Sequence, residues 1–209
     1  MKLTRNEAIW LVVFFSLLIW SAWRPHDYFI WALEVLPALV ALLVLAVTRQ
    51  RFPLSPLAGQ LVLLHCIVLM VGGHYTYAEV PVGEWLQSAF DWPRNNYDKL
   101  GHLLQGLVPA LVAREIVLRL KVLPVGGWLN LFLVSFALAV SAFYELIEWG
   151  VALLSDAAAD SFLGTQGYVW DTQSDMAMAL LGALITVFLL SESHDRQLAR
   201  FDYPVSIKF

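Results

Sequence analysis

Six long apolar runs follow one another along the chain, and they constrain its fold more than any other feature. They lie at roughly 8–23, 28–47, 57–73, 99–118, 128–150 and 174–191. A helix needs about 20 mostly apolar residues to cross the roughly 30 Å hydrocarbon core of a bilayer. Because 59% of the 209 residues are apolar and only 14% are charged, the chain has too few polar residues to cover a soluble domain. The sequence therefore predicts an all-α fold, a polytopic membrane helix bundle of about six transmembrane helices in a single domain, 1–209.

The Lys and Arg residues divide unequally between the two sets of connecting segments. If the N-terminus is cytoplasmic, most of the 13 lie on the cytoplasmic side: Lys2, Arg5, Arg49, Arg51, Arg114, Arg119, Lys121, Arg196, Arg200 and Lys208. The others, Arg24, Arg94 and Lys99, lie on the opposite side. Cytoplasmic loops of membrane proteins are enriched in these residues. The distribution therefore predicts that both termini are cytoplasmic.

Ionisable side chains gather at one end of the last three predicted spans, on the side away from the termini. Each span carries two of them three or four residues apart, so that the two share one helical face. The pairs are Asp98 with His102, Glu145 with Glu148, and Asp171 with Asp175. Since the orientation rests on Lys and Arg alone, the meeting of these groups in one leaflet is an independent observation. The pattern predicts a single polar pocket that opens to the outer face.

Carboxylates are costly inside a membrane, and they face a bundle interior or a watery cavity where they pair or bind something. Four arrangements would stabilise this group: a divalent metal ion, protonation of some members, pairing with Arg94 and Lys99, or solvation by water. Oxygen and imidazole ligands suit magnesium, manganese or zinc, although no fixed ligand spacing singles out a metal. The candidate metal ligands are Asp98, His102, Glu145, Glu148, Asp171 and Asp175. His102 and Glu145 are the candidate catalytic residues, because they would handle protons.

Structural roles are the alternative for several of these residues. Asp98 and Asp171 stand where helices begin, and as caps they would stabilise the first turn. Glu148 would then be solvated among the lipid headgroups. Glu34 lies inside the second span, where it would either pair with a neighbouring helix or take part in function.

The sequence also predicts the location of three further regions. Arg114 and Glu115, at the inner end of the fourth span, are expected to snorkel to the membrane surface. The segment from His194 onwards is expected to be a short polar tail in the cytoplasm. Residues 161–175 join the fifth and sixth spans and combine two glycines with aromatic residues. They are expected to pack over the outer opening of the bundle, or to form a plain interfacial connector.

Four stretches of the chain resemble the YjdF-like family of bacterial inner-membrane proteins. They are Gly73-His-Tyr-Thr-Tyr77, Arg94-Asn-Asn-Tyr-Asp-Lys-Leu-Gly-His102, Tyr144-Glu-Leu-Ile-Glu-Trp149 and Leu163-Gly-Thr-Gln-Gly-Tyr-Val-Trp-Asp-Thr-Gln-Ser-Asp175. The length and layout match over essentially the whole chain. The resemblance implies a multi-pass protein of the bacterial inner membrane whose function is uncharacterised.

A more distant resemblance concerns the spacing of the ionisable residues. The Asp-Lys-x-x-His run at 98–102, the later glutamates and the Asp-x-x-x-Asp step at 171–175 are similar to VanZ-like membrane proteins. That group is associated with resistance to glycopeptide antibiotics. The chain departs from it at Glu145-Leu-Ile-Glu148, where the VanZ-like form is Glu-x-x-Gln, and it has no arginine ahead of the two aspartates.

Three classes of function remain open from the sequence. An outward-facing acidic and histidine site would bind or act on an envelope or lipid-linked substrate, with membrane lipid as its surroundings. A small transporter would need ionisable groups across the whole membrane, and Glu34 is the one acid placed near the middle. A non-catalytic scaffold would use the polar groups only to fix helix packing. The net charge of −4 is small and gives no sign of the basic surface that nucleic acid requires, so no nucleic-acid partner is expected.

Overall fold

The computed structural model describes residues 3–154 and 165–201, and this part of the chain is helical without β-strands. The helices are α1 (Arg5–Ala22), α2 (Tyr28–Thr48), α3 (Pro56–Tyr75), α4 (Pro81–Phe90), α5 (Tyr97–Arg119), α6 (Gly127–Leu154), α7 (Asp171–Ile185) and α8 (Ser191–Leu198). A π-helical turn, Thr186–Leu190, joins α7 to α8, and short 3₁₀ turns cover Tyr77–Glu79 and Ala199–Phe201. Six segments have the length and apolar composition of a membrane span: α1, α2, α3, α5, α6 and the continuous helix 171–201.

The prediction of six helices of membrane length is confirmed, and the helices begin and end within a few residues of the predicted spans except at the C-terminal end. There the sequence predicted that the sixth span ends at 191 and that a polar tail begins at His194. The helix does not end there but continues through the π-helical turn into α8, and residues 202–209 of the predicted tail lie outside the described residues. The His194 side chain is fully buried.

Side-chain caps fix where the first three helices begin. The Thr4 hydroxyl accepts from the backbone N–H of Glu7, and the Glu7 carboxylate accepts from the N–H of Thr4 in return. The Asp27 carboxylate accepts from the backbone N–H groups of Phe29 and Ile30 in the first turn of α2. Ser55 caps α3, whose first residue is Pro56, a position where the missing N–H costs nothing.

The long helix α5 is the centre of the bundle. It packs against α3, α6 and α7, and most of its residues are buried. Its contact with α7 is close because glycines lie on both surfaces. A Cβ atom on Gly106 would lie 1.8 Å from the backbone oxygen of Ala179, and one on Gly182 would lie 2.1 Å from that of Leu103. Small residues let the two backbones approach in this way.

The spans alternate in direction, so the bundle has two distinct ends. The first, which we call the Asp98 end, holds the start of α5 and α7 and the end of α6. The second, the His194 end, holds α8 and the end of α5. The prediction that the His194 end is cytoplasmic rests on the distribution of Lys and Arg, and it stays a prediction.

A buried charged cluster closes the His194 end, and it overturns the expectation that Arg114 and Glu115 snorkel. Arg114 is 3% exposed and Glu115 is fully buried. The His194 Nε2 lies 3.1 Å from a Glu115 oxygen, while its Nδ1 lies 3.1 Å from Arg114 Nη1. The other Glu115 oxygen accepts from the N–H of Ser55 at 2.8 Å and from Arg119 at 2.8 Å. The two residues stay inside because α3, α5 and α8 all supply partners.

Candidate functional site

The ionisable residues that the sequence places at one end of three spans meet around the His102 ring. His102 Nε2 lies 3.3 Å from Asp98 Oδ1 and 3.8 Å from Asp175 Oδ1. Its Nδ1 lies 3.9 Å from Glu145 Oε1 and 3.1 Å from Gln105 Oε1. Helices α5, α6 and α7 thus each supply a group within a few ångströms of one imidazole. We call this assembly the acidic pocket.

Both ring nitrogens of His102 therefore face oxygen acceptors. Nδ1 donates to the Gln105 amide oxygen, which fixes the ring orientation. Nε2 then points between Asp98 and Asp175. A proton or a cation at Nε2 satisfies both carboxylates at once.

Arg94 and Lys99 provide the positive charge on one side of the acidic pocket. The Lys99 ammonium lies 2.8 Å from Asp171 Oδ1 and 2.6 Å from Asp175 Oδ1. Arg94 pairs with the same Asp171 oxygen and lies 3.6 Å from Asp98 Oδ2. Asp171 thus joins the pocket through these two cations rather than through His102. Pairing with Arg94 and Lys99, one of the four arrangements expected from sequence, is present at all three aspartates.

The structural alternatives for the acids hold only in part. Asn96 and Trp170 are the N-cap residues of α5 and α7, but Asp98 and Asp171 lie in the first turns, where a negative charge stabilises the helix end, and both also pair with cations. Glu148 is not solvated among headgroups, because only 8% of it is exposed. The reason is that the side chain of Glu148 lies on the side of α6 that lines the cavity, whereas its neighbour Trp149 is exposed.

Glu34 belongs to the acidic pocket as well. It is 5% exposed, and the Tyr144 hydroxyl donates to its Oε2 at 3.4 Å. Tyr77, from the 3₁₀ turn after α3, lines the same space. Burial, with the nearby Glu34 carboxylate as the next cause, raises the pKa of the Tyr77 hydroxyl well above its usual value, so this group is a hydrogen-bond donor at neutral pH.

A cavity of about 910 Å³ extends from the acidic pocket along the bundle. Its polar end is formed by Glu34, Asp98, His102, Tyr144 and Glu148. The remaining walls are largely apolar and run along α2, α3, α5 and α6 as far as Thr48, Phe52 and Leu120 near the His194 end. From the sequence, an opening at the helix ends was expected. Val40 and Val44, which line the cavity on α2, are 51% and 53% exposed, so among the described residues the cavity also reaches the side of the bundle between α2 and α6. The opening at the helix ends stays a prediction.

The described part of the connector before α7 packs onto the acidic pocket. Gln166 exchanges two hydrogen bonds with the backbone of Asn95, at 3.0 and 2.8 Å. The backbone oxygen of Thr165 accepts from Arg94 at 3.2 Å, and the Arg94 guanidinium lies 5.7 Å from the centre of the Tyr168 ring. The interpretation of 161–175 as a segment over the bundle end is thus supported for 165–170, whereas 161–164 lie outside the described residues.

One subset of the pocket has the spacing of metal ligands. Single ligand atoms of Asp98, His102 and Asp175 lie within 4.8 Å of one another. Glu145, Glu148 and Asp171 do not belong to that group within the described chain. The metal-binding and catalytic roles of all six residues stay predictions.

Sequence reasoning did not include Tyr77, Tyr144 and Glu34 in the acidic pocket. Tyr77 and Tyr144 had no signal beyond their nearness to residues already chosen. Glu34 was seen as a separate mid-membrane acid. A signal was available, because an acid inside an apolar helix must have a polar neighbour.

Six membrane-length helices around a buried polar pocket define a multi-pass integral membrane protein. Residues 6–196 match the family described as "Predicted membrane protein (DUF2238)", and the chain belongs to that family. It is 52% identical over 185 residues to the inner membrane protein YjdF of Escherichia coli (strain K12), and the alignment covers 88% of each chain. The resemblance to the YjdF-like family and the location in the inner membrane are therefore confirmed. No solved structure matches the chain.

Proposed function

We propose that this protein binds the polar head of a lipid-linked envelope molecule in the acidic pocket and its hydrocarbon part in the cavity beside it. The proposal rests on a single observation. The charged acidic pocket is continuous with an apolar cavity that opens to the side of the bundle. Water-soluble substrates have no need of a path through the lipid side of a bundle. An amphiphile matches both halves of the space.

The pocket would face the periplasm, because the orientation predicted from Lys and Arg puts the Asp98 end outside. His102 and Glu145 would handle protons there. His102 is held by Gln105 and lies between two carboxylates, and a group held in this way can pass a proton to or from a bound head. Asp98 and Asp175 would orient the ring, and Asp171 would hold Arg94 and Lys99 beside them.

A divalent ion is a second candidate occupant of the pocket. Asp98, His102 and Asp175 fit it by ligand type and spacing, and a bound ion would supply Lewis-acid polarisation of the head group. Lys99 already contacts the same Asp175 oxygen at 2.6 Å. An ion would therefore compete with the ammonium, and manganese should stabilise a folded Lys99→Met variant more than it stabilises the wild type.

Conduction across the membrane is less well supported than binding. Glu34 joins the acidic pocket rather than linking it to the other end. Between Glu34 and the buried cluster of Glu115 and His194, the cavity walls on α2 and α5 are mostly apolar, and the polar side chains that line this stretch are His65 and Cys66 of α3 and Thr48 at the end of α2. A path for ions needs polar groups along that distance.

The test is native mass spectrometry of the protein extracted from its own membranes and washed in mild detergent. Val40 lines the cavity on α2, whereas Leu43 is exposed on the same helix outside it. We expect the wild type to retain lipid and Val40→Trp, which fills the cavity, to lose most of it. Leu43→Trp is the matched control and should behave as the wild type. Equal retention by Val40→Trp and Leu43→Trp would refute the proposal.

A further inference from the structure

Two glutamates of α6 lack the Lys or Arg partner that buried carboxylates normally have. Glu148 is 8% exposed and lines the cavity, and within the described residues its side chain has neither a hydrogen bond nor an ion pair. Glu145 Oε1 is buried and also lacks a hydrogen-bond partner in the part of the chain that the structure describes. A buried charge without a partner is strongly unfavourable. Either a proton or a bound group that brings positive charge would remove this cost.

The Lys and Arg side chains of the described chain do not reach these glutamates, and His102, 3.9 Å from Glu145, is shared with Asp98 and Asp175. Arg94 and Lys99 are bound to Asp98, Asp171 and Asp175 on the α5–α7 side of the acidic pocket. Glu34, across the cavity from α6, has the neutral Tyr144 hydroxyl as its hydrogen-bond donor. Over residues 3–154 and 165–201, no Lys or Arg lies within ion-pair distance of Glu34, Glu145 or Glu148. The α2–α6 side of the pocket is thus an acidic half with no compensating Lys or Arg.

The cavity below this acidic half has the form of a site for hydrocarbon chains. Near the Asp98 end α2 and α6 meet, where Ile30 and Leu33 pack with Val151. Further along, α2 packs on α3 while α6 packs on α5 and α7, and the cavity fills the space between α2 and α6. From Glu34 to Thr48 the lining of α2 extends about 21 Å at 1.5 Å per residue. That length exceeds the roughly 15 Å of one leaflet, half of the hydrocarbon core.

We propose that this site selects a lipid whose head carries an ammonium group, of the phosphatidylethanolamine type. The ammonium lies between Glu148 on α6 and Glu34 on α2, and the acyl chains lie in the cavity between those helices. Charge complementarity decides the choice, because an anionic head without an ammonium would add negative charge to the acidic half. The inference rests on the proposed function and adds the chemical class of the head.

The experiment measures head selectivity in nanodiscs that contain equal amounts of phosphatidylethanolamine and phosphatidylglycerol with identical acyl chains. After detergent exchange, the lipids retained by the full-length protein are counted by native mass spectrometry. We expect the wild type to retain the ethanolamine lipid in roughly tenfold excess, as expected for a buried charge pair. Retention of phosphatidylglycerol at an equal or greater level would overturn the inference.

Single-residue variants distinguish recognition of the lipid head group from retention of the acyl chains. Glu148→Gln should keep the retained lipid but reduce the excess of the ethanolamine form several-fold, whereas Glu148→Asp should preserve part of it. Glu34→Gln is the second variant, so the test stands even if one substitution prevents folding. Glu84→Gln removes an exposed acid of α4 and should leave the excess unchanged. If Val40→Trp loses lipid but no variant changes selectivity, the proposed function stands and the ammonium inference fails.

Discussion

Lys99 holds its ammonium 2.6 Å from Asp175 Oδ1 and thereby joins α5 to α7 beside the His102 ring. The same ammonium lies 2.8 Å from Asp171. One lysine therefore offsets two carboxylates of a neighbouring helix. Because the Lys99 side chain is 14% exposed and that of Asp175 3%, water does little to weaken the contact.

Removal of the Lys99 charge should be strongly destabilising. Lys99→Met leaves Asp171 with Arg94 alone and Asp175 without its ammonium, and loss of one partner of a buried pair costs about 3–5 kcal/mol. The measurement is thermal unfolding in detergent. Lys121→Met removes an exposed lysine and is the control, with an expected change near zero. Equal midpoints for the two variants would show that the ion pairs at the pocket contribute nothing to stability.

The close contact of α5 with α7 should depend on Gly106. Gly106→Ala places a methyl group against the backbone of Ala179, and the helices must separate, at a cost of about 1–3 kcal/mol. Separation also moves Asp175 away from His102. Gly59→Ala is the matched control, since a Cβ there meets nothing within 4 Å and alanine favours the helix. Unfolding of Gly106→Ala at or above the wild-type temperature would contradict the close packing of α5 on α7.

Much of the fold could be predicted from sequence because apolar length is a direct physical requirement of a membrane span. The meeting of His102 with Asp98, Glu145 and Asp175 was also predictable. Spacings of three and four place residues on one face, and their charge forces that face inward. Both arguments use only composition and helical geometry.

Other features depend on side-chain direction and could not be predicted in the same way. Nothing in the sequence says that Lys99 turns toward α7 while Glu148 has no Lys or Arg beside it in the described chain. His194 was missed because the apolar run ends before it, while the helix continues through a π-helical turn. The charged pair Arg114 and Glu115 was the available clue, since charges in a span need buried partners.

The His194 end should lose stability when its imidazole is removed. His194→Ala leaves a Glu115 oxygen and an Arg114 nitrogen without their buried partner, at a cost of about 1–3 kcal/mol for such groups. Thermal unfolding provides the measurement. Arg196→Ala serves as the control because this arginine and its partner Glu192 are exposed, and it should change little. A neutral His194→Ala would mean that α8 is held by apolar packing alone.

The orientation of the bundle is open to direct measurement. Reporter fusions after Arg51, after Lys121 and at the C-terminus should report the cytoplasm, because the flanking Lys and Arg favour that side. Fusions near Asp91 and Asp160 should report the periplasm. A periplasmic C-terminus would place the acidic pocket on the cytoplasmic face and contradict an outward-facing site.

The central claim, that the acidic pocket and the apolar cavity together hold one amphiphile, is tested most directly by cryo-electron microscopy of the wild type in nanodiscs made from its own membrane. We predict elongated density between α2 and α6, beginning beside Glu148 and His102 and continuing past Val40. A map in which Val40 packs directly against α6, with no density in the pocket, would contradict it.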